Sequence, residues 1–458
     1  PHTVKGIINL SHWNLKNSVS LEGNWIFYPN QLIHSEKNKH NSKINLYVPK
    51  QWKRKNKKNY HYGTYQITIK IPEVKKKLGL RLFRINTAYR LFINNKFIKE
   101  VGKVSSNQDI AKPQFFFQVI GFEPPSKSNK IQITLEVSNY HHPKGGIVDP
   151  IIFGYYENLK NQRLKNISFD IIVFGIGMIV FLLNFIFFII RKKYKFLPYF
   201  AIYSLLISIR AITFSEIFIT QIIPDLSWVF HRKLIILTVI MAQPVFLSFF
   251  KEIFFNHFNQ KIKEIALISG LTGSILVLFL PFKISFFILI LFEILSLSII
   301  LYIIFRLFAL TFKKNRSALF FLITTLFLFG AGLNDFLYGN KIIKNSFFLT
   351  HIFLIILIIS NTIYLSVKLS KTLASIKSKK TSISSQKEEF INSFDFTERE
   401  KEILRLLLKG LITKEIAENL NIKTRTIEKH IYNIYKKMKI NSRLELIAKF
   451  HLFLENNC

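Results

Sequence analysis

Near the C-terminus, polar and charged side chains recur at intervals of three and four residues, as on one face of a helix. Arginine and lysine on such a face bind the phosphates and base edges of DNA, and a glutamate accepts from a cytosine amino group. A solvated surface would carry similar charges, so the surrounding framework must decide between the two interpretations. The candidate DNA-binding side chains are Thr424, Arg425, Glu428, Lys429, Tyr432 and Lys436.

The N-terminal region holds a second candidate group, whose aromatic, basic and histidine side chains suit contacts with a small ligand such as a sugar. The alternative is that the rings are core residues and the arginine is a surface residue of a strand. A metal site is not predicted, since adjacent strand residues point to opposite faces and no third ligand is apparent. The members of this group are Trp52, Tyr89, Arg90, His141 and His142.

Three ionisable residues interrupt apolar stretches in the middle of the chain. Arg210, Glu293 and Asp335 fall at similar depth if these stretches cross a membrane as helices. Charges in lipid are costly and usually face the bundle interior or pair together. We therefore expect a polar cluster that couples ligand binding to helix arrangement, and a purely structural ion pair is the alternative.

Composition divides the 458-residue chain into regions of different character. It has 64 Lys plus Arg against 27 Asp plus Glu, a net charge of +37, yet 49% of its residues are hydrophobic. Both properties run high, so they must be segregated along the chain. The single cysteine, Cys458, excludes an intramolecular disulfide framework. The sequence shows no nucleotide-binding loop or nucleophile motif, so neither a cofactor nor an enzymatic activity is expected.

Seven apolar stretches follow the N-terminal region, each long enough to cross a bilayer core of about 30 Å as a helix. The basic loops 191–195 and 313–316 follow odd-numbered stretches, which predicts that those ends lie in the cytoplasm. The N-terminal region would then lie outside a bacterial inner membrane and the C-terminus inside. Because such export needs a leader, we expect a cleaved signal peptide before Pro1. The stretches are roughly 167–190, 196–214, 234–250, 264–282, 286–309, 317–338 and 347–369.

Residues 1–166 show the period-two alternation that is typical of half-buried strands. Apolar and polar residues alternate in 65–71 and again in 131–137. The pair Asn94-Asn95 separates two short apolar runs and predicts a tight hairpin, because Asn tolerates positive φ. The pattern indicates an antiparallel β-sandwich.

The last 65 residues are predicted to form four short helices. Thr397 and Glu400 have the spacing of a capping box before the first helix. Thr413 and Ser442 are the expected caps of the second and fourth helices, and the third begins at about Thr424. A short turn joins the second and third helices, which is the arrangement of a helix-turn-helix.

These helices carry an ordered set of motifs: Phe396-Thr-Glu-Arg-Glu-Lys-Glu-Ile-Leu404, Gly410, Lys414-Glu-Ile-Ala417, Thr426-Ile-Glu-Lys-His430, Asn433-Ile434, Lys437-Met438 and Ser442-Arg443. The set resembles the LuxR-type DNA-binding domain, which implies that the exposed face of the third helix reads DNA. Lys423 stands where a serine cap is usual, so Thr424 is expected to cap instead. Glu428 stands where lysine is frequent, which predicts an altered base preference.

The N-terminal region carries its own motifs: Gly23-Asn-Trp25, Val48-Pro49 with Trp52, Gly63-Thr-Tyr65, Ala88-Tyr-Arg-Leu-Phe-Ile-Asn94, Gly102, Val137-Ser-Asn139 and Gly145-Gly146. Their order is similar to that of galactose-binding-like jelly rolls. Together with the apolar stretches, they resemble bacterial seven-transmembrane receptors with diverse intracellular signalling modules. The resemblance implies a jelly-roll sensor domain and carbohydrate as the ligand class.

The sequence therefore predicts a membrane-tethered, one-component transcription regulator with four parts. They are a β-sandwich sensor (1–166), a seven-helix transmembrane domain (167–370), a cytoplasmic linker (371–393) and an all-α helix-turn-helix domain (394–458). The expected partners are double-stranded DNA, the membrane, an extracytoplasmic small ligand and, in the active state, a second copy of the chain. The alternatives are a receptor whose basic tail docks a cytoplasmic protein, and a transporter or membrane enzyme with a regulatory tail.

Overall fold

The computed structural model describes residues 6–14, 17–35, 42–50, 52, 61–125, 128–339 and 350–456. The chain divides into two units, Pro1–Asn361 and Thr362–Cys458. The first unit contains a β-domain and a set of long apolar helices. The second unit contains the end of the last long helix and a group of four short helices, here called the C-terminal domain.

Within its described residues the β-domain has thirteen strands, of which eleven form two main sheets and two form a separate antiparallel pair. The strands are β1 Ile7–Asn9, β2 Val19–Ser20, β3 Gly23–Pro29, β4 Ile44–Val48, β5 Tyr62–Lys70, β6 Leu78–Leu82, β7 Ile85–Asn86, β8 Ala88–Ile93, β9 Lys96–Val101, β10 Gln118–Phe122, β11 Lys130–Ser138, β12 Gly146–Ile147 and β13 Ile152–Tyr155. The larger sheet has the order β4-β3-β5-β11-β8-β9, with β1 added beside β5, the smaller has the order β10-β6-β13-β2, and the separate pair is β7 with β12. The predicted β-sandwich is confirmed.

Alternation along the strands supplies the core between the sheets. Ile67 and Ile69 of β5 are fully buried, as are Leu80 and Leu82 of β6, whereas Lys70 is exposed. Burial of apolar side chains from both sheets stabilises the sandwich by removing them from water. The described pairs are antiparallel except that β1 runs parallel to β5, so the antiparallel prediction is wrong for this strand. A strand's own alternation does not specify its partner's direction.

The predicted hairpin between β8 and β9 is confirmed. The two strands pair antiparallel, and Asn94 and Asn95 connect them with φ of 49° and 64°. Both residues occupy the left-handed region, which asparagine tolerates better than most residues.

The second half of β11 differs from the expected half-buried strand. Thr134 is 1% exposed and Glu136 is 0% exposed, so both faces are covered. The segment 31–35 lies over the polar face, where the backbone N–H groups of His34 and Ser35 donate to the Glu136 carboxylate at 2.7 and 3.2 Å. The alternation is present, but a neighbouring loop buries the side that it marks as exposed.

The long helices are α1 Tyr156–Ile190, α2 Phe196–Phe214, α4 Trp228–Ile253, α5 Gln260–Phe279, α6 Phe282–Phe312, α7 Arg316–Gly339 and α8 Thr350–Asn392, with the short α3 Ile219–Ile222 after α2. Six helices among the described residues, α1, α2 and α4 to α7, are long and apolar enough to cross a membrane. The seventh predicted stretch, 347–369, begins outside the described residues, so the count of seven stays a prediction.

Helix α1 begins eleven residues before the predicted stretch, directly after β13. Its first turn packs on the smaller sheet, because a Cβ added at Gly121 would lie 2.7 Å from Cδ2 of Tyr156. Leu159, one turn later, is 1% exposed. The β-domain and the first apolar helix are therefore in direct contact, and position 166 lies inside α1.

The fourth predicted stretch, 264–282, ends too late. Helix α5 ends at Phe279, and Pro281 is the N-cap of α6. Proline has no backbone N–H and restricts the residue before it, so a helix ends more easily there than it continues.

Helix α8 includes the whole predicted linker except its last residue. This segment has no Gly and no Pro to interrupt a helix. Its last turn belongs to the C-terminal domain, whose core includes Phe390 at 1% and Ile391 at 0% exposure. The remaining helices of that domain are α9 Glu398–Leu407, α10 Thr413–Asn419, α11 Thr424–Met438 and α12 Arg443–Asn456.

Candidate functional sites

The caps of the short helices fix the framework of the C-terminal domain. Thr397 Oγ1 accepts from the Glu400 N–H at 3.3 Å, and the Glu400 carboxylate accepts from the Thr397 N–H at 2.9 Å, which confirms the capping box. Ser442 caps α12 as predicted, since its Oγ accepts from the Glu445 N–H at 3.2 Å.

The predicted cap of α10 is wrong. Thr413 is the first helical residue, and the N-cap is Ile412, whose N–H donates to the Glu415 carboxylate at 2.8 Å. A glutamate reaching back from the first turn satisfies this backbone donor without a hydroxyl cap.

Helix α11 exposes the predicted recognition face. Ile427, Ile434 and Met438 are buried beneath it at 0%, 0% and 1% exposure. This period places the six candidate residues on the solvent side, where all are exposed: Thr424, Arg425, Glu428, Lys429, Tyr432 and Lys436. The framework and the charged face therefore coincide.

The start of α11 differs from the prediction in one respect. Its N-cap is Lys423, whose side chain makes no cap hydrogen bond, and Thr424 is the first helical residue. The predicted Thr424 cap is wrong, because a residue with helical dihedrals cannot take the extended N-cap conformation. The first-turn N–H groups are left without this side-chain cap, and such groups suit a phosphate oxygen.

Lys437 is also exposed, but its role differs from that of the candidate DNA-binding cations. Its Nζ donates to the Glu400 carboxylate at 2.7 Å and to the Asp395 carbonyl at 3.0 Å. Burial works to raise the pKa of Glu400, but hydrogen bonds from Lys437 and Thr397 hold it below its ordinary value. Lys437 therefore ties α11 to the start of α9.

The last turn of α8 joins the C-terminal domain through contacts that the sequence did not predict. The Glu388 carboxylate accepts from Arg405 Nε at 2.9 Å and from Nη2 at 2.8 Å. The Phe390 ring lies 5.1 Å from Phe450 and 5.3 Å from Phe453. The available signal was Phe390-Ile391, an apolar pair that closes a polar, Ser/Lys-rich segment.

In the β-domain, two of the predicted ligand-binding residues are packing residues. Tyr89 is 2% exposed, and its hydroxyl accepts from Gln118 Nε2 at 2.6 Å. Burial raises the pKa of this hydroxyl well above its ordinary range. Trp52 is half-buried, and its Nε1 donates to the Tyr65 hydroxyl at 2.5 Å. These contacts favour the alternative that both rings serve the core.

Arg90 belongs to an ion-pair group on the larger sheet. Its Nη2 lies 2.8 Å from Glu100 and its Nη1 lies 3.1 Å from the buried Glu136. Arg90 also donates to the Ser35 hydroxyl. Its donors are thus directed at protein groups, and no described contact joins it to the histidine pair.

His141 and His142 lie where the β-domain meets the ends of α4 and α6. The His142 ring lies 6.4 Å from Trp228, 5.6 Å from Phe282 and 5.4 Å from Phe286. The His141 ring lies 6.4 Å from Trp228. The described contacts place these five residues in different surroundings, and their joint role in ligand binding stays a prediction.

Sequence reasoning missed a buried network that joins the β-domain to the helices, here called the Glu216 network. Arg81 of β6 forms an ion pair with Glu216, which follows α2, and Arg163 of α1 lies 3.6 Å from the same carboxylate. Asn166 donates to Glu216 at 2.8 Å, and the Glu216 N–H donates to Asp170 at 3.2 Å. The side chains of Arg81 and Glu216 are 7% and 3% exposed. The sequence signal for this network was the pair of carboxylates Asp170 and Glu216, which lie inside or beside two of the apolar stretches.

The predicted intramembrane cluster is only partly described. Arg210 of α2 lies within electrostatic range of Glu293 on α6, and its guanidinium lies 4.7 Å from the centre of the Phe214 ring. The side chain of Asp335 lies outside the described residues. Coupling through these three groups stays a prediction.

Two regions of the chain match protein-family models. Residues 166–371 match the family described as 7TM diverse intracellular signalling. Residues 395–450 match the bacterial regulatory proteins of the luxR family. The resemblances of the apolar region to seven-transmembrane signalling receptors and of the C-terminus to the LuxR-type domain are thereby supported.

Curated relatives cover the C-terminal domain. The probable transcriptional regulator ycf29 of Cyanophora paradoxa is 43% identical over 63 residues, which are 14% of this chain and 29% of that protein. The transcriptional regulatory protein DesR of Bacillus subtilis is 43% identical over 53 residues, which are 12% of this chain and 27% of that protein. This chain therefore spans less than a third of the length of either relative.

Solved structures are similar to this chain only weakly. A β-glucuronidase from Ruminococcus gnavus in complex with D-glucuronic acid is 14% identical, covers 30% of this chain and 29% of its own, and has a TM-score of 0.24. Similarity at this level carries no argument about ligand or function. The chain therefore combines a region that matches the 7TM diverse intracellular signalling family with a C-terminal region that matches the luxR family of bacterial regulatory proteins.

Proposed function

We propose that this chain is a membrane-tethered, one-component transcription regulator, in which a signal read by the β-domain and the apolar helices controls a DNA-binding domain. The exposed polar and basic face of α11, on a luxR-family framework, is the observation that carries the proposal. The names of the relatives, which describe transcriptional regulators, support it. Nothing in this mechanism requires a cofactor or an enzymatic step.

On DNA, α11 would lie in the major groove with its first turn nearest the bases. Arg425 and Lys429 supply cations for phosphates or guanine edges, and Glu428 suits a cytosine amino group. From 409 to 449 there are ten Lys or Arg and four Glu, a modest charge for one module. Useful affinity would therefore need a homodimer that spans two half-sites.

The proposed orientation places the β-domain outside the bacterial inner membrane and the C-terminal domain in the cytoplasm. The basic loops after the odd-numbered helices support this orientation. The Glu216 network supports a coupling between β-domain and helices, since a shift of either part would disturb a buried ion pair. The signal would be a small extracytoplasmic ligand, with carbohydrate the class that the family resemblance implies.

The test is selection of a random duplex library on residues 385–458 fused to a dimerising coiled coil. The fragment starts before Glu388, so it keeps the last turn of α8 that belongs to the domain core. Forced dimerisation removes the unknown ligand from the experiment. We expect an enriched inverted repeat that is lost in the double variant Arg425→Ala, Lys429→Ala. A folded fragment that enriches no sequence would contradict the proposal and favour a tail that docks a cytoplasmic protein.

A further inference from the structure

Four basic residues lie within electrostatic range of His142 or Glu293, where the β-domain meets the helices. Arg84 and Lys144 come from the β-domain, and Arg210 and Arg232 come from α2 and α4. Arg84, Lys144 and Arg232 all act electrostatically on His142, while Arg210 and Lys144 both act on Glu293. These four cations are here called the interface cluster.

Negative charge in the interface cluster does not balance the positive charge. Asp149 is taken by Arg84, whose Nε and Nη2 lie 2.6 and 2.8 Å from its two oxygens. Glu293 lies within electrostatic range of Arg210 and Lys144. In the described part of the chain, neither Lys144 nor Arg232 has a carboxylate within 4.0 Å. Among the described residues, two cations of the cluster therefore lack a bonded counter-charge.

Arg232 is held between aromatic rings rather than by acceptors. Its guanidinium carbon lies 4.0 Å from the centre of the Phe115 ring and 5.8 Å from that of Trp228. Its buried Nε has no hydrogen-bond partner among the described residues, and neither has Nε1 of Trp228, a residue 5% exposed. Buried donors without acceptors are costly, and cation–π contact offsets only part of that cost. Trp228 and Arg232, one turn apart on α4, thus each carry a buried N–H donor without an acceptor among the described residues.

The cluster combines these donors with an aromatic wall. Trp228 packs edge-on against Phe282 at 4.8 Å, and Lys144 Nζ lies 5.6 Å from the centre of the Phe286 ring. Lys144 is exposed and Arg232 is half-buried, so the wall and the cations reach the protein surface. Cations beside aromatic rings favour a ligand that carries both a negative group and an apolar or ring-shaped body.

The imidazole of His142 lies in the positive field of these cations. Burial, and then the positive charges of Arg232, Lys144 and Arg84, lower the pKa of the His142 imidazole to about 3. The ring is therefore neutral at physiological pH, and it does not add to the charge of the cluster. Its ring lies 6.4 Å from Trp228 and 5.4 Å from Phe286, which places it beside the aromatic wall of the cluster.

We propose that the interface cluster is a binding site for a small organic anion, whose negative group pairs with Arg232 and Lys144 while its body packs against Trp228, Phe282 and Phe286. This inference rests on the proposed function, because such an anion would be the extracytoplasmic signal, a class that differs from the carbohydrate implied by the family resemblance. The site takes residues from the β-domain and from α4 and α6, so a bound anion favours one arrangement of these parts over others.

The test measures the thermal unfolding midpoint of the purified full chain in neutral detergent, with sodium benzoate and phenyl phosphate as probes. Benzyl alcohol and sodium acetate separate the contributions of ring and charge. We expect both aromatic anions to raise the midpoint by about 3 °C or more at saturation, because a ligand of the folded state stabilises by mass action. Benzyl alcohol and acetate should raise it much less. Equal effects of benzoate and benzyl alcohol, or no effect of either aromatic anion, would overturn the proposal.

Variants separate an anion site from a structural role of the cations. Arg232→Gln should leave the unliganded midpoint unchanged or higher, since it removes a half-buried cation that has no carboxylate partner among the described residues, and should weaken benzoate binding about tenfold or more. Lys144→Gln, at an exposed position, should also weaken binding without risk to folding. The matched control is Lys283→Gln, which removes an exposed cation close enough to act on His141 and should change binding less than about threefold. An unchanged benzoate effect in both Arg232→Gln and Lys144→Gln would overturn the proposal.

A lipid headgroup could supply the same negative group, so the chain is also compared in nanodiscs of phosphatidylcholine and of phosphatidylglycerol. Stabilisation by phosphatidylglycerol alone, with no added effect of benzoate in either lipid, would assign the cluster to lipid and overturn the small-anion site. DNA is absent from these measurements, and the duplex selection uses a fragment without the interface cluster. Failure of one proposal is therefore distinguishable from failure of the other.

Discussion

The C-terminal domain and the contact between the β-domain and the helices use charge in opposite ways. On α11 the charged residues face solvent, and apolar residues pack beneath them. Between β-domain and helices, Arg81 and Glu216 are almost fully buried, and Arg232 is covered by aromatic rings. An exposed cation remains available to a partner as large as DNA, whereas a buried charge is suited to holding parts together or to binding a small ion.

The same type of ion pair has a different energetic meaning in the two regions. In the pair of Arg405 with Glu388 the side chains are 37% and 44% exposed, against 7% and 3% for Arg81 with Glu216. Exposed pairs contribute roughly 0–1 kcal/mol, whereas removing one partner of a buried pair costs about 3–5 kcal/mol. Substitutions in the two regions should therefore differ in size as well as in kind.

The largest expected effect follows removal of the Glu216 carboxylate. Glu216→Gln leaves the guanidinium groups of Arg81 and Arg163 without their shared counter-charge. We expect the free energy of unfolding of the full chain to fall by roughly 3–5 kcal/mol, measured by chemical unfolding in detergent with tryptophan fluorescence.

The matched control is Glu123→Gln, which breaks the pair of Glu123 with Lys77. This pair is 4.0 Å long, and its side chains are 75% and 48% exposed. The change should be within about 0.5 kcal/mol of zero. Equal effects of the two substitutions would remove the contrast between buried and exposed pairs.

The next effect concerns the last turn of α8. Phe390→Ala removes a ring that is 1% exposed and contacts Phe450 and Phe453. In the 385–458 fragment we expect a loss of about 3 kcal/mol, measured by urea unfolding. Tyr432→Ala, at a ring 67% exposed, is the control and should leave stability almost unchanged. A fragment that tolerates Phe390→Ala would show that the predicted boundary at 394 describes the domain adequately.

A smaller effect is expected on DNA binding. Arg425→Ala and Lys429→Ala should each weaken binding to the selected duplex by about 1–3 kcal/mol, measured by fluorescence anisotropy. Loss of a phosphate contact should also lower the slope of binding against salt concentration by roughly one. Lys437→Met should instead lower stability, since Lys437 is bonded to Glu400. A Lys437→Met variant that lost DNA affinity but no stability would contradict this division of roles.

The smallest effect is the pH dependence that arises from Glu400. Its pKa in the folded chain is lowered, so its contribution to stability is present above the unfolded value of about 4.3 and is lost as pH falls through the folded value. Unfolding of the 385–458 fragment should show this loss as a lower free energy of unfolding at acid pH than at neutral pH. Glu400→Gln should remove it, and Lys437→Met should reduce it. A profile identical in all three proteins would exclude this pair as its source.

The sequence predicts the C-terminal domain better than the contact between β-domain and helices, for a physical reason. A helix face repeats every three or four residues, so Arg425 and Lys429 are visible as a surface without knowledge of the rest of the fold. Caps are less certain, because Thr413 and Thr424 each lie one residue after the N-cap that the structure shows. The sequence motif predicts that each helix exists, while local hydrogen bonds determine the residue at which it begins.

At the contact between β-domain and helices, the relevant residues are far apart in the chain. Arg81 and Glu216 are separated by 135 positions, and no local pattern relates them. The buried Glu136 shows the same limit, since alternation marks it as exposed and the loop that covers it is distant in sequence. Charged residues beside apolar stretches indicate that a polar contact exists, but the tertiary fold decides which residues form it.

The most direct test of the account uses the full chain in phosphatidylglycerol nanodiscs with the duplex that the fragment selects. We expect that the full chain retains this duplex, that a scrambled duplex is not retained, and that Arg425→Ala with Lys429→Ala abolishes retention. Retention of both duplexes alike, or of the selected duplex by the double variant, would contradict a sequence-specific regulator that acts from the membrane.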